Sequence, residues 1–176
     1  MLVSFCAQEI VVQIVPTHSM AVVSITNPGE NAPLKNGWGA VLRVSFADAQ
    51  YDESTIKSLG NLWSISSLGF INKAHALAIR EFLDNLDPSI ASLVVHCGAG
   101  VSRSAAVAMY AADQYGAALT GDLSKHNTTV LRLLKEPYVF DAILPKPKES
   151  WTTSFSKKAT TWMPLRRKSS TAAESD

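Results

Sequence analysis

A cysteine and an arginine stand six positions apart in the glycine-containing segment HCGAGVSRS, residues 96–104. A cysteine thiolate is a strong nucleophile, and the planar guanidinium of an arginine can bind two oxygens of one phosphate group. Gly98 and Gly100 allow backbone conformations, and a close approach of backbone N–H groups to a ligand, that larger residues hinder. The spacing of Cys97 and Arg103 therefore predicts a nucleophile and an anion-binding site that face one point.

The residues on either side of this segment predict a strand, a tight loop and a helix. Residues 93–95 are an apolar run typical of a strand buried in a parallel sheet. Residues 104–115 are rich in alanine, contain no proline or glycine, and are followed by Gly116, a common residue just after a helix. A helix N-terminus and successive loop N–H groups favour the thiolate, and can lower a cysteine pKa from about 8.5 to roughly 3.5–7.5.

HCGAGVSRS resembles the signature of the cysteine-dependent protein tyrosine phosphatases, which is His-Cys, five residues, Arg and then Ser or Thr. Its interior is most similar to the dual-specificity branch, and the chain as a whole is similar to short members found in bacteria and phages. The resemblance implies hydrolysis of phosphotyrosine, and also of phosphoserine or phosphothreonine, on proteins through a phospho-cysteine intermediate, without a cofactor. A buried structural cysteine on a tight turn is the alternative, and a rhodanese-like loop has too short a spacing to fit.

The resemblance also implies roles for individual residues. Cys97 would be the nucleophile, and the Ser104 hydroxyl would steady the thiolate as it leaves the intermediate, although Ser104 could also simply bond a backbone N–H at the helix start. His96 would be a structural ligand of the loop backbone. Asn127 would lie near the phosphate, although capping of the last helix also explains this residue. The phosphate-binding set would comprise Gly98, Ala99, Gly100, Val101, Ser102 and Arg103.

A leaving alkoxide or phenoxide needs a proton, so an acid must accompany the cysteine. In the resemblance this acid is an aspartate after a neighbouring strand, and the predicted strand at residues 41–46 followed by Ala47 and Asp48 matches that segment. Asp48 lies 49 residues before Cys97, a longer separation than is usual in the family, so Asp52 and Glu53 remain competitors. Each of the three could also be an ordinary solvated carboxylate.

The remaining pattern predicts an α/β fold with a mostly parallel central sheet flanked by helices, and an active site at the carboxyl end of the central strand. Residues 47–70 form a long connection that is either a functional lid or a loop containing a short helix at about residues 55–63. Further strands are predicted at residues 2–6 and 21–25, and helices at 72–86 after the capping residue Asn72 and from Asn127 to the residue before Pro137. Residues 7–15 fit a helical stripe, although their β-branched residues also suit a strand; we favour a short helix ended by Pro16.

The 176 residues, with 47% hydrophobic and 18% charged residues, predict one globular domain at residues 1–144, which the resemblance implies is a dual-specificity-like phosphatase domain. Residues 145–176 have seven basic residues against three acidic ones and many Ser and Thr, which indicates a disordered tail. Arg166 to Ser169 and the two tail tryptophans could dock an unknown partner, although a merely solvated tail is the simpler interpretation.

Composition also narrows the function. A net charge of +1 argues against a nucleic-acid partner, and no apolar run is long enough to predict a membrane span. Two cysteines are too few for a disulfide scaffold, and four histidines without ligand spacing predict no metal, so we expect a reducing, cytoplasmic location. The alternatives to a protein phosphatase are a phosphatase for phosphoinositides or RNA 5′-phosphates, and a catalytically silent module that binds phosphate.

Overall fold

The computed structural model describes residues 1–145. The predicted tail, from residue 146 onward, lies outside the described residues.

Four parallel strands form the sheet, in the order β1-β4-β2-β3. β1 is Leu2–Ala7, β2 is Met20–Thr26, β3 is Ala40–Ser45 and β4 is Ser92–Cys97. β4 pairs with β1 on one side, where Ala7 lies opposite Cys97, and with β2 on the other, where Ser24 lies opposite His96. The predicted α/β class and parallel sheet are confirmed, and the strand that ends at Cys97 occupies an interior position.

Both faces of the sheet are covered, which explains why the two inner strands are largely apolar. Side chains alternate along β4, so that Leu93, Val95 and Cys97 join the larger core cluster while Val94 joins a smaller cluster on the other face. The larger cluster is covered by three helices, α4 (Lys73–Asp84), α5 (Arg103–Tyr115) and α6 (Thr128–Lys135). The short helix α1 (Gln8–Val11) contributes Val11 to the smaller cluster.

Three helix ends lie at the capping residues that were identified in the sequence. The side chain of Asn72 accepts a hydrogen bond from the His75 N–H at the start of α4, and Asn127 accepts one from the Val130 N–H at the start of α6. Gly116 adopts the left-handed conformation, with φ at 59°, and ends α5. The predicted bounds differ from the observed ones mainly for α1, which is shorter than predicted because the chain leaves the helix at Val12, and for α4, which ends two residues early.

The connection after β3 is largely helical. It contains α2 (Glu53–Leu59), a 3-10 turn (Gly60–Leu62) and α3 (Trp63–Ser66). Tyr51 and Trp63 are buried in the larger core cluster, so this segment is packed on the domain. Of the two interpretations of the sequence, the structure agrees with a loop that contains short helices. Within residues 1–145, no helix is long and apolar enough to cross a membrane.

Candidate active site

Cys97 is the last residue of β4, and its side chain is buried, with 1% exposed. Its Sγ lies 3.2 Å from the Oγ of Ser104, in the first turn of α5. Ser102, which precedes α5, makes no side-chain cap, so the first N–H groups of the helix are left without the partner that a cap usually provides. The sulfur therefore lies among polar hydrogens at the start of a helix.

These surroundings decide the ionisation of the thiol. Burial by itself raises the pKa of Cys97, but the Ser104 hydroxyl, the backbone N–H groups of Ser104 and Gly100, and the charge of Arg103 together lower that pKa below its ordinary value. For the other cysteine, Cys6, burial and the nearby Cys97 raise the pKa. The chain thus holds one cysteine that favours the thiolate and one that favours the thiol.

Gly100 fits the 97–103 loop tightly against β1. Its φ is +74°, and a Cβ at this position would lie 2.2 Å from the backbone nitrogen of Ala7. The loop is also joined to this end of the sheet by a hydrogen bond of 3.1 Å, in which the Gln8 N–H donates to the Gly98 carbonyl. A side chain at residue 100 would push the loop away from the sheet edge that supports it.

Arg103 begins α5, and only 5% of it is exposed. Its Nη1 donates a hydrogen bond of 2.6 Å to the carbonyl of Phe46, and its Nη2 lies 3.8 Å from where a Cβ on Gly98 would be. The Nε–H is buried without a hydrogen-bond partner among the described residues. A buried donor of this kind, on a guanidinium held beneath the loop, is suited to an anion bound above it.

Asp48 meets the same loop from the end of β3. Its Oδ1 accepts hydrogen bonds from the Ser102 Oγ, at 2.7 Å, and from the Asn127 Nδ2, at 2.8 Å. Its Oδ2 lies 3.9 Å from the Arg103 Nε, and 39% of the side chain is exposed. The structure therefore places Asp48 next to Ser102 and Arg103, where the 97–103 loop meets α5.

Asp52 and Glu53 are engaged elsewhere. Asp52 caps α2, where hydrogen bonds from the Thr55 N–H and from the Ser54 and Thr55 hydroxyls lower the pKa of this carboxyl to about 2. Glu53 forms a two-pronged ion pair with Arg132, and this pairing lowers the pKa of Glu53. Neither carboxylate makes a hydrogen bond with the 97–103 loop among the described contacts, so the structure assembles Asp48, and not its two competitors, with Arg103.

The two supporting residues have different surroundings. The Nε2 of His96 lies 2.8 Å from the Ser24 Oγ on the neighbouring strand, and the backbone of Cys97, at the start of the loop, lies close enough to the ring to influence its pKa. Burial lowers the pKa of His96 to about 4, which keeps the ring neutral at pH 7. Asn127 is fully buried; it both caps α6 and donates from Nδ2 to Asp48 and to the Ala49 carbonyl. Asn127 therefore makes both kinds of contact considered in the sequence analysis: it lies next to the 97–103 loop, and it caps α6.

Two contacts of this site were not predicted from the sequence. The carbonyl of Phe46 orients Arg103, and the hydroxyl of Thr129 bonds both the N–H and the carbonyl of Tyr51, close to Asp48. Each contact involves backbone atoms, which every residue carries, so no residue type marks it in the sequence. Only the placement of residues 44–51 against α5 and α6 reveals them.

No group of three or more His, Cys, Asp or Glu side chains in residues 1–145 is arranged to hold a metal ion. No protein-family model matches the chain, and no curated protein is significantly similar to it. The functional interpretation rests on the residues of the site and their geometry.

Proposed function

We propose that this chain is a phosphatase that hydrolyses phosphate monoesters, with phosphotyrosine on proteins as its main substrate, through a phospho-cysteine at Cys97. The observation that carries the proposal is the convergence of three groups on one loop. These groups are a thiol whose pKa is lowered, the buried guanidinium of Arg103, whose Nε–H has no hydrogen-bond partner within residues 1–145, and the carboxyl of Asp48 beside it.

In the first step, the Cys97 thiolate attacks phosphorus in line with the leaving oxygen. An S–P bond forms and the P–O bond to the substrate breaks. Arg103 and the loop N–H groups hold the three non-bridging oxygens, where the negative charge of a phosphoryl transfer accumulates. Asp48 in its protonated form gives its proton to the leaving oxygen, which departs as an alcohol or a phenol.

In the second step, water attacks the phospho-cysteine. Asp48, now a carboxylate, accepts a proton from the water, the S–P bond breaks, and inorganic phosphate and the Cys97 thiolate are released. The Ser104 hydroxyl, 3.2 Å from Sγ, can donate a hydrogen bond to the departing thiolate and so make it a better leaving group. The same lowering of the Cys97 pKa therefore assists both steps.

The composition of the loop favours a singly phosphorylated group. Residues 98–102 contain no Lys or Arg, so the only cation of the loop is Arg103. A phosphoinositide head group with several phosphates would need further cations around it, whereas one phosphate on a tyrosine is matched by one guanidinium and the loop N–H groups. Phosphotyrosine therefore fits this loop better than a highly charged head group.

The experiment compares the unaltered chain with Cys97→Ser and Cys6→Ser on p-nitrophenyl phosphate and on phosphotyrosine and phosphoserine peptides. We expect Cys97→Ser to lose at least ~1,000-fold in kcat, because the serine hydroxyl is a far weaker nucleophile, and Cys6→Ser to stay within about twofold of the unaltered chain. Full activity of Cys97→Ser would refute the mechanism. Phosphopeptide binding without turnover by the unaltered chain would indicate a silent phosphate-binding module instead.

A further inference from the structure

We propose that Asn127 and Thr129, at the start of α6, are positioning residues that hold Asp48 in place for proton transfer. The inference rests on the proposed function, because it concerns the acid of that reaction. Residues 48–51, called the acid segment below, follow β3 and are about 78 positions away from the start of α6 in sequence. Hydrogen bonds nevertheless connect the acid segment to the start of α6 at each of its residues.

Thr129 binds the backbone of the acid segment. Its Oγ1 accepts a hydrogen bond of 2.8 Å from the Tyr51 N–H and donates one of 2.8 Å to the Tyr51 carbonyl. Only 2% of Thr129 is exposed, so water does not compete for these bonds. One hydroxyl thus satisfies both backbone groups of a residue three positions after Asp48, as a neighbouring strand would.

Asn127 binds the other end of the acid segment and also the 97–103 loop. Its Nδ2 donates to the Asp48 Oδ1 and to the Ala49 carbonyl, its Oδ1 accepts from the Val130 N–H, and its backbone N–H donates to the Ser102 carbonyl. Every polar group of this buried side chain is therefore used. A single residue connects the acid, the loop and the helix that supports both.

The side chain of Tyr51 anchors the segment in the core. Its hydroxyl donates a hydrogen bond of 2.6 Å to the Ile71 carbonyl, and its ring packs against Trp63 and Phe140. With Asn127 at one end and Thr129 and the core at the other, the backbone after Asp48 has little freedom. The orientation of the acid is thereby established before the substrate binds, which lowers the entropic cost of reaching the transition state.

A change of leaving group separates this role from a general effect on folding. Phenyl phosphate releases phenoxide, a basic and therefore poor leaving group that must be protonated as it departs. 2,4-Dinitrophenyl phosphate releases a weakly basic phenoxide that departs readily without protonation. General acid catalysis contributes about 10²–10⁴-fold, and a misplaced acid loses part of that factor only where it is required. For Thr129→Val, which keeps the shape of the side chain, we expect kcat to fall about tenfold or more on phenyl phosphate and less than about twofold on 2,4-dinitrophenyl phosphate.

The neighbouring threonine offers a matched control. Thr128 is exposed, and its hydroxyl bonds only the side chain of Gln50, so it does not fix the backbone of the acid segment. We expect Thr128→Val to leave kcat unchanged on both substrates, and Thr129→Ser, which restores the hydroxyl, to recover the activity on phenyl phosphate. In NMR hydrogen exchange, the Tyr51 amide should exchange faster in Thr129→Val than in Thr128→Val.

A second variant tests the role if Thr129→Val does not fold. Asn127→Ser keeps a residue that caps helices well but removes the Nδ2 donor to Asp48 and Ala49, and we expect the same dependence on the leaving group. Equal losses on both substrates, or no loss, would overturn the positioning role and leave the proposed function intact. Absence of Cys97-dependent hydrolysis in the unaltered chain would instead overturn the proposed function, and the catalytic role of Asn127 and Thr129 with it.

Discussion

Three acidic residues follow β3 within eight positions, and their surroundings give them different chemistry. Asp48 is bonded to Ser102 and Asn127 and lies beside Arg103. The Oδ1 of Asp52 accepts hydrogen bonds from Ser54 and Thr55 at the start of α2, which lowers the pKa of Asp52 to about 2, too low for a proton donor near neutral pH. Position rather than residue type therefore separates the candidate acid, which lies at the 97–103 loop, from its neighbours, which are engaged at α2 and with Arg132.

The pair Asp48→Asn and Asp52→Asn tests this separation. We expect Asp48→Asn to lower kcat on phenyl phosphate about 100-fold or more, because the amide cannot donate the proton, and to abolish the decline of kcat/KM on the alkaline side of the pH profile. Asp52→Asn keeps a good helix cap and should stay close to the unaltered chain. Steady-state kinetics across pH measures both effects, and a larger loss in Asp52→Asn would transfer the role of the acid to Asp52.

At the scale of elements, the site depends on how the 97–103 loop joins β4 to α5. The loop must turn within a few residues, direct N–H groups towards the Cys97 sulfur and stay against the end of β1. Gly100 makes this possible, because its positive φ and missing side chain are both required where the loop touches the backbone of Ala7. The packing between loop and strand thus supports the conformation that lowers the Cys97 pKa.

A comparison of two glycines separates backbone strain from close packing. Gly116 has a similar φ of +59° but nothing within 4 Å of a Cβ added there, so Gly116→Ala should cost about 1–2 kcal/mol of unfolding free energy from strain alone. Gly100→Ala adds a clash with Ala7 and should cost ~3 kcal/mol or more, together with loss of the proposed phosphatase activity. Urea denaturation of both variants measures the difference, and equal costs would show that the loop is not packed tightly against β1.

At the scale of the whole molecule, the strand order places β4 between β1 and β2 and buries His96 completely. A histidine at this depth is stable only when it is neutral, and the Ser24 hydroxyl on β2 is its partner across the two strands. The stability of the entire sheet is thereby linked to the protonation of one ring.

The fold should therefore lose stability in mild acid. The pKa of His96 is about 4 in the folded chain against an ordinary 6.5, so between these values the unfolded chain binds a proton that the folded chain does not. The free energy of unfolding should fall as the pH is lowered through this range, by on the order of 3 kcal/mol.

Urea denaturation at pH 7, 6 and 5 checks this dependence. His96→Gln should show a weaker dependence on pH, whereas replacement of the exposed His18 by Gln should keep the dependence of the unaltered chain. If His96→Gln and the unaltered chain lost stability in parallel, the burial of His96 would not be the cause.

The features that were predictable from the sequence are those in which partners lie a few positions apart. The strand before Cys97, the helix from Arg103 to Tyr115, its end at Gly116 and the caps at Asn72 and Asn127 all depend on local hydrogen bonds and on the alternation of apolar residues. The spacing of Cys97 and Arg103 belongs to this class, since a strand, a tight loop and a helix bring both to one point whatever the rest of the chain does.

The features that only the tertiary structure decided join residues from distant parts of the chain. The assembly of Asp48 with the 97–103 loop, the pairing of His96 with Ser24 and the bonds of Thr129 to Tyr51 connect positions 54 to 78 residues apart. The physical reason is that the hydrogen-bonding atoms involved are either backbone groups common to all residues or carboxylates that look alike in sequence. Their partners are therefore chosen by the order of the strands and the packing of α5 and α6, whereas the sequence by itself determined the short spacing that brings Cys97 and Arg103 to one loop.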